Sequence, residues 1–479
     1  MCPRHGKLAQ SSSPRSRFGA YFASVTVSPS DVLACPHCAA SPLTQSPGNW
    51  SCGACGSRFP LLDGIPWLFA DPGASLGEWR EKLHRLVVEL NAQATDIRAE
   101  LDAKNLSAST RTRLELLVQA YTDHARRLDA LLAPLALDVK LATRETHLAL
   151  RTRMPASQDL ASYYVNLHRD WSWGAAENEA SFELVKEANG QRPLGTMLVL
   201  GAGGCRLAYD LHQRCAAEAT YALDVNPLLL FAARRILAGQ PVELYEFPIA
   251  PRSIESHAVL RELRAETPAR DGLHLVFGDA LRAPIRPGSV DTVVTPWFID
   301  IVPADFADLA ARINRLLRPG GRWLNFGSLA FAQRAAARCY SLEEVLEIVA
   351  ENGFGHPLVR EAVVPYMKSP ASRHSRLEGV VVFCADKERD VPAPPEFSTL
   401  PEWLVRDDLP VPLLHEMQVT AVATRIQAFV MSLVDGRRSL QDMAQVLVDQ
   451  RLMEAHEAAP AVRGFLVRMF EDSRTRTHF

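Results

Sequence analysis

Long apolar runs are missing from this chain, and so is any lopsided charge. No stretch of its 479 residues approaches the ~20 consecutive apolar residues that a membrane helix needs. With 52 basic and 55 acidic residues intermixed, the net charge of −3 points neither to nucleic acid nor to an anionic membrane as partner. The first 30 residues lack acids and lack an apolar core. Arg4, Lys7, Arg15 and Arg17 stand there among serines and prolines, which break any amphipathic helix. No secretory signal is expected from them, and 1–30 is expected to be a disordered arm, with a transit peptide as the alternative. What the chain does have is 47% apolar residues and room for two to four domains with sizeable cores.

Cysteine is scarce outside one place. Of nine in total, four fall within 21 residues, as Cys35-Pro-His-Cys38 and Cys52-Gly-Ala-Cys55. Two C-x-x-C knuckles separated by 13 residues turn four thiolates toward one point, the tetrahedral sulfur set that Zn²⁺ prefers. Two disulfides are the rival reading and suit a secreted protein better. Four cysteine ligands leave no open position, so the expected zinc is structural and supplies the folding energy of a small ribbon over 31–72. The other cysteines sit in apolar segments as small hydrophobes. Reduced thiols beside one metal cluster place the chain in the cytoplasm.

Residues 73–150 repeat apolar positions at helical spacing, as in LHRLVVEL and RLELLVQAYTDHARRLDALL, with a polar break near Asn105 to Thr110. This predicts a helical hairpin, either packing element or interface, and leaves a homodimer open. From Met197 the pattern alternates between apolar strands and amphipathic helices, up to a last strand at EGVVVFCADK. The fold class is therefore α/β, with a mostly parallel, Rossmann-like sheet over 151–388 and helices on both faces. Dense prolines mark 389–412 as a linker, and 413–479 reads as a small helical domain with a turn at Asp435-Gly436.

A third glycine is also absent, from a place where it matters. The loop in MLVLGAGGCRLAYDL has the strand–loop–helix course of a nucleotide site. Yet Arg206 stands where a dinucleotide fingerprint needs glycine, and Cys205 stands where a methyl-donor fingerprint does. Gly201 and Gly203 would let the backbone approach a ligand. Asp224 ends the next strand, where a carboxylate accepts ribose hydroxyls in either class of enzyme. Asp279 follows the third strand, at the place where methyl-donor enzymes receive the adenine amino group. A Pro-Gly-Gly turn in LLRPGGRWLNFG precedes the fifth strand. This ordered set favours S-adenosylmethionine over a nicotinamide cofactor, although either acid could instead cap a turn.

The segments NLHRDWSWG, LGAGGCRLAYDL, VVTPWFID and LRPGGRWLNFGSLAF resemble the carnosine N-methyltransferase family, across about residues 160–387. The resemblance implies a seven-stranded methyltransferase sheet and transfer of a methyl group to an imidazole nitrogen. It implies that Asn166 and Arg169 touch the donor from an upstream helix, with Arg169 taking its carboxylate through a fork of hydrogen bonds. Gly201, Asp224, Asp279, Ala280 and Pro296 would complete the donor pocket. Asp300 falls where the family places its substrate-binding acid, the catalytic candidate. A carboxylate there can hold an N–H so that the nitrogen lone pair aims at the methyl carbon. A cap for a helix starting near Pro303 is the other reading of Asp300. The family's acceptor-binding histidine and tyrosine fall near Ala332 and at Leu377, so the acceptor is expected to be a small amine, imidazole compound or peptide other than carnosine. His168, Tyr163, Tyr164, Tyr366 and His374 could serve such an acceptor, or simply pack.

Two flanking segments carry further resemblances. FPLLDGIPWLF is similar to the tail of zinc-ribbon proteins that activate methyltransferases, which implies an accessory or docking role. FVMSLVDGRRSLQDMAQVLVDQ resembles the peptide chaperone of pyrroloquinoline quinone synthesis, the RiPP recognition element, which implies capture of a leader peptide by strand addition. Two alternatives to a methyltransferase follow: a weakly catalytic or non-catalytic peptide-binding maturation partner, and a NAD-dependent oxidoreductase.

Overall fold

The computed structural model describes residues 29–137, 160–331, 335–394, 403 and 408–472. The arm, the end of the hairpin segment, Ala332 and most of the proline-rich linker lie outside them.

A helical turn at Pro29–Val32 leads into four short antiparallel strands, β1 (Leu43–Ser46), β2 (Asn49–Cys52), β3 (Arg58–Leu62) and β4 (Ile65–Leu68). Next come α1 (Pro72–Glu100) and α2 (Ala108–Leu132). Pro72 opens α1, and Asp71 caps it by accepting from the Ala74 N–H at 2.9 Å. Ser107 caps α2 in the same way through Thr110, so the chain reverses over 101–107, at the predicted polar break. Leu83, Leu86, Leu90, Ala94 and Ile97 form the buried stripe of α1.

The larger part follows with α3 (Leu160–His168), which runs on as a π-helical turn through Trp173, and α4 (Ala175–Asn189). Then come β5 (Gly195–Leu200), α5 (Arg206–Arg214), β6 (Ala217–Asp224) and α6 (Pro227–Leu237). A two-stranded ribbon, β7 (Val242–Glu246) with β8 (Val259–Leu263), precedes β9 (Leu273–Gly278) and β10 (Val290–Pro296). The run closes with α7 (Phe306–Leu316), β11 (Leu317–Gly327), α8 (Leu342–Glu351), β12 (Leu358–Tyr366) and β13 (Arg376–Asp386). In space seven strands stand in the order β9-β6-β5-β10-β11-β13-β12, parallel except for β13 against its neighbours. This is the predicted α/β, Rossmann-like sheet. Its central strands are apolar throughout because both faces are covered. One core holds the hairpin, the β7–β8 ribbon and α3 to α6, and the other holds most of the four-cysteine segment with α7 and α8.

The four-cysteine segment is not a separate bead. β4 pairs in parallel with β9 (Trp67 opposite Phe277, Leu68 opposite Gly278), so one sheet of eleven strands runs from β1 to β12. The Trp67 and Phe277 rings are fully buried, with centroids 5.0 Å apart. Val32 and Ala34 bind the other end of the following loop, where Ala34 N–H donates to Pro284 O and Arg286 N–H donates to Val32 O.

After the linker, α9 (His415–Ser432), α10 (Leu440–Asp449) and α11 (Ala455–Asp472) pack around their own small core, from Val430 to Val462. Ser439 and Asp442 form a capping box at the start of α10. No strand occurs among the described residues of 408–472, so strand addition finds no sheet edge within them. No helix of the described residues is long and apolar enough to cross a membrane.

Candidate functional site

The glycine loop leaves β5 and turns sharply. Gly201 has φ +66°, and a Cβ there would stand 2.4 Å from the Phe298 ring. Gly204 lies so close to Asp170 and Trp171 that Trp171 Nε1 donates to its carbonyl at 2.7 Å. Gly203 differs: with φ +55° and nothing within 4 Å of a Cβ, it faces open cavity. Cys205 also takes a left-handed conformation, φ 64°, and is wholly buried. The cysteine therefore preserves the course of a glycine, at the strain cost of a side chain in that region.

Three acids stand at strand ends around one cavity of about 1210 Å³. Asp224 ends β6 and is buried. Its two oxygens accept from Gly203 N–H at 2.7 Å and Asn226 N–H at 2.8 Å. Burial raises its pKa, and the backbone donors at Asn226, Gly203 and Val225 pull it back. Asn226, not Asp224, caps α6. Asp279 follows β9 and spends one oxygen on Leu281 N–H at 2.8 Å, capping the turn Ala280–Arg282. Here the capping and the binding readings share one side chain.

Asp300 lies four residues beyond Pro296, the end of β10. Its Oδ2 accepts from Ser328 Oγ at 2.5 Å and from Ala330 N–H at 2.9 Å, while its buried Oδ1 has no hydrogen-bond partner. It is not a helix cap. α7 begins at Phe306, and Asp305 caps it through Ala307 N–H at 3.0 Å. An unpaired buried carboxylate oxygen is costly and fits a donor brought by a ligand.

Asn166 and Arg169 line the same cavity from α3 and its π-turn. Burial works against the Arg169 charge, but Asp170 at 2.8 Å, Glu177 and Tyr366 together hold its pKa above the ordinary value. Glu177 is pushed up to about 7 by burial, with Arg169 and the Met367 N–H opposing. Tyr163 is pushed up to about 12 by burial and by the charge of Asp224, then Tyr366 and Asp300, so it is a neutral phenol. The helix that carries these groups is anchored underneath. Tyr164 Oη donates to Tyr245 O at 2.5 Å, and His168 Nε2 lies 3.1 Å from the same carbonyl. His124 of α2 packs on Tyr164 with neither ring nitrogen partnered. Burial holds both histidines down at about 3.

All nine residues expected around donor and acceptor thus line one cavity: Asn166, Arg169, Gly201, Gly203, Asp224, Asp279, Ala280, Pro296 and Asp300. Sequence reasoning missed Glu177, Trp297 and Arg376. The first two are ordinary residues in a helix and a strand end until folding brings them round. Tyr366 and Arg376 are opposed in the register of β12 and β13, and both line the cavity, whereas Leu377 points away and is 72% exposed.

The four sulfurs of Cys35, Cys38, Cys52 and Cys55 lie within 4.8 Å of one another. Cys35 and Cys55 are 3.7 Å apart and Cys38 and Cys52 3.6 Å, close to the ~3.8 Å edge of a tetrahedron with 2.3 Å zinc–sulfur bonds. These spacings exceed the ~2.05 Å of a disulfide. The donor set fits a metal ion. Burial, helped by the Cys38 and Cys55 thiols and opposed by the backbone N–H groups of Cys38 and His37, pushes Cys35 up to about 12, so a nearby cation is what would make it a thiolate.

Residues 153–388 match the carnosine N-methyltransferase family. The rat carnosine N-methyltransferase is 26% identical over an alignment of 242 positions that covers 44% of this chain and 59% of that protein. The chain thus spans about three fifths of the relative's length. Phosphoethanolamine N-methyltransferase 2 of Haemonchus contortus, in complex with phosphomonomethylethanolamine and S-adenosylhomocysteine, aligns at 17% identity over 48% of this chain and 57% of its own, with a TM-score of 0.32. The N-methyltransferase NodS of Bradyrhizobium japonicum, in complex with S-adenosylhomocysteine, aligns at 13% identity over 47% of this chain and 99% of its own, with a TM-score of 0.31. The family-matched segment holds β5 to β13 and all nine cavity residues named above, but neither the ribbon nor the hairpin.

Proposed function

We propose that this chain is an S-adenosylmethionine-dependent N-methyltransferase whose acceptor nitrogen is oriented by Asp300. The observation that carries this reading is the convergence of Asp224, Asp279 and Asp300, from the ends of β6, β9 and β10, on one cavity beside the glycine loop. Ligands of open α/β sheets bind at this carboxyl edge, where the strand order reverses.

Asp224 keeps unshared lone pairs for ribose hydroxyls, and Asp279 keeps an oxygen for the adenine amino group. Arg169 supplies positive charge for the donor's carboxylate, and Gly203 leaves the room a side chain would fill. The cavity exceeds the ~300–1,000 Å³ of ordinary small-molecule sites, consistent with donor and acceptor together. When bound, the donor supplies a methyl carbon on a cationic sulfur.

The chain's own work is positioning. Ser328 and Ala330 fix Asp300, and its free Oδ1 takes an N–H of the acceptor, turning the nitrogen lone pair toward the methyl carbon. A small amine, an imidazole compound or a peptide fits this requirement. Carnosine is not the acceptor we propose, because Leu377 stands where the family's acceptor-binding tyrosine falls and is exposed. The ribbon, holding Zn²⁺ on its four cysteines, serves as a built-in accessory that grips both ends of the Asp279 loop. The C-terminal helices are left for a partner.

Isothermal titration tests this. S-adenosylhomocysteine should bind with micromolar affinity, and Asp224→Asn should weaken it at least tenfold, with NADH producing no heat. Absence of binding by the full chain would sink the methyltransferase reading.

A further inference from the structure

The hairpin lies outside the family-matched segment, and its sequence suggests a packing element or an interface. Yet one face of α1 reaches the cavity, where Trp79, Lys82, Arg85, Leu86 and Glu89 form a wall. Their spacing places them on adjacent turns of one helical face. This wall belongs to a definite end of the cavity. Leu86 and Trp79 pack in the same apolar core as Leu229 in the first turn of α6, and Leu229 itself lines the cavity beside Asp224. α1 starts just past β4, whose Leu68 stands opposite Gly278 next to Asp279, and Trp67 Nε1 donates to Ser75 Oγ of its first turn at 2.9 Å. The Lys82 ammonium lies 5.0 Å from the centre of the Trp79 indole and pairs with Glu78, which holds the ring in place.

We propose that α1 is a wall of the nucleoside half of the donor pocket, with Trp79 lying against the base and sugar of S-adenosylmethionine. This rests on the methyltransferase reading and extends the donor site to residues before the family-matched segment. A flat, largely apolar indole suits a flat purine and its sugar. Removing such a contact usually costs from several-fold to about a hundredfold in affinity.

The test is titration of the full chain with S-adenosylhomocysteine, with Trp79→Ala and Trp79→Phe alongside. Trp79→Ala should bind about tenfold more weakly, and Trp79→Phe should stay within about threefold of the natural chain. Hydrogen exchange of the unaltered protein gives a readout that needs no variant: the ligand should slow exchange across residues 72–90. If the natural chain binds the ligand, yet Trp79→Ala binds equally well or 72–90 gains no protection, the proposal is overturned. If the natural chain does not bind, the methyltransferase reading falls first and the wall falls with it.

Discussion

Acidification should loosen the joint between the hairpin and the helix that carries Asn166 and Arg169. His124 and His168 meet at this joint, buried among Tyr164, Tyr245 and Phe247 and held down at about 3. In the unfolded chain each would titrate near 6.5. Above that pH both states are neutral and the histidines add no pH dependence. As the pH falls below 6.5, the unfolded chain takes up protons that the folded one refuses, so stability is lost progressively until about pH 3. At pH 5.0 the gap of roughly 1.5 units is worth about 2 kcal/mol per histidine, or about 4 kcal/mol for the pair. That is a large part of the ~5–15 kcal/mol of a typical domain. Other groups titrate over this range too, so the clean measurement is a difference. His124→Phe removes a ring with no hydrogen bonds and keeps the aromatic packing. Urea unfolding at pH 7.5 and 5.0 should show the natural chain losing about 2 kcal/mol more than His124→Phe. Equal losses would refute the account.

Two further outcomes follow from the site and the ribbon. Asp300→Asn should lower turnover about a hundredfold on any accepted substrate while leaving S-adenosylhomocysteine affinity unchanged, as steady-state kinetics and calorimetry would show. A parallel loss of donor affinity would contradict its assignment to the acceptor. Cys35→Ser should abolish stoichiometric zinc in elemental analysis and lower the melting temperature by several degrees, because the metal supplies the ribbon's folding energy. A natural chain free of metal would remove the zinc assignment.

The parts most legible in sequence were those where local pattern and tertiary role coincide. β5, β6, β9 and β10 are largely buried, so they read as apolar-rich runs with only scattered polar residues, and the acids near their ends were visible as punctuation. β12 was not foreseen. It is an edge strand whose LVREAVVPY is mostly exposed, so no burial pattern marks it. β7 and β8 were missed because Glu246 and Arg261 pair on their inner face while Tyr245 and Leu260 face outward, so no clean apolar alternation marks them. Asp300 lines the cavity, and its reading as a helix cap could be dropped only in the fold, where Asp305 caps α7. Glu177 and the α1 wall were illegible for a different reason: their neighbours in the fold are far away in the chain.

The pairing of β4 with β9 means that the borders of the family-matched segment are not the borders of a stable body. A fragment cut at residue 153 would carry β9 as a raw margin, its amides unsatisfied and its Phe277 ring stripped of cover. Such a margin invites other copies to zip onto it. The small cysteine-bearing head therefore acts as a seam binding: it finishes the fabric at the hem where the Asp279 loop begins, and the chain brings its own.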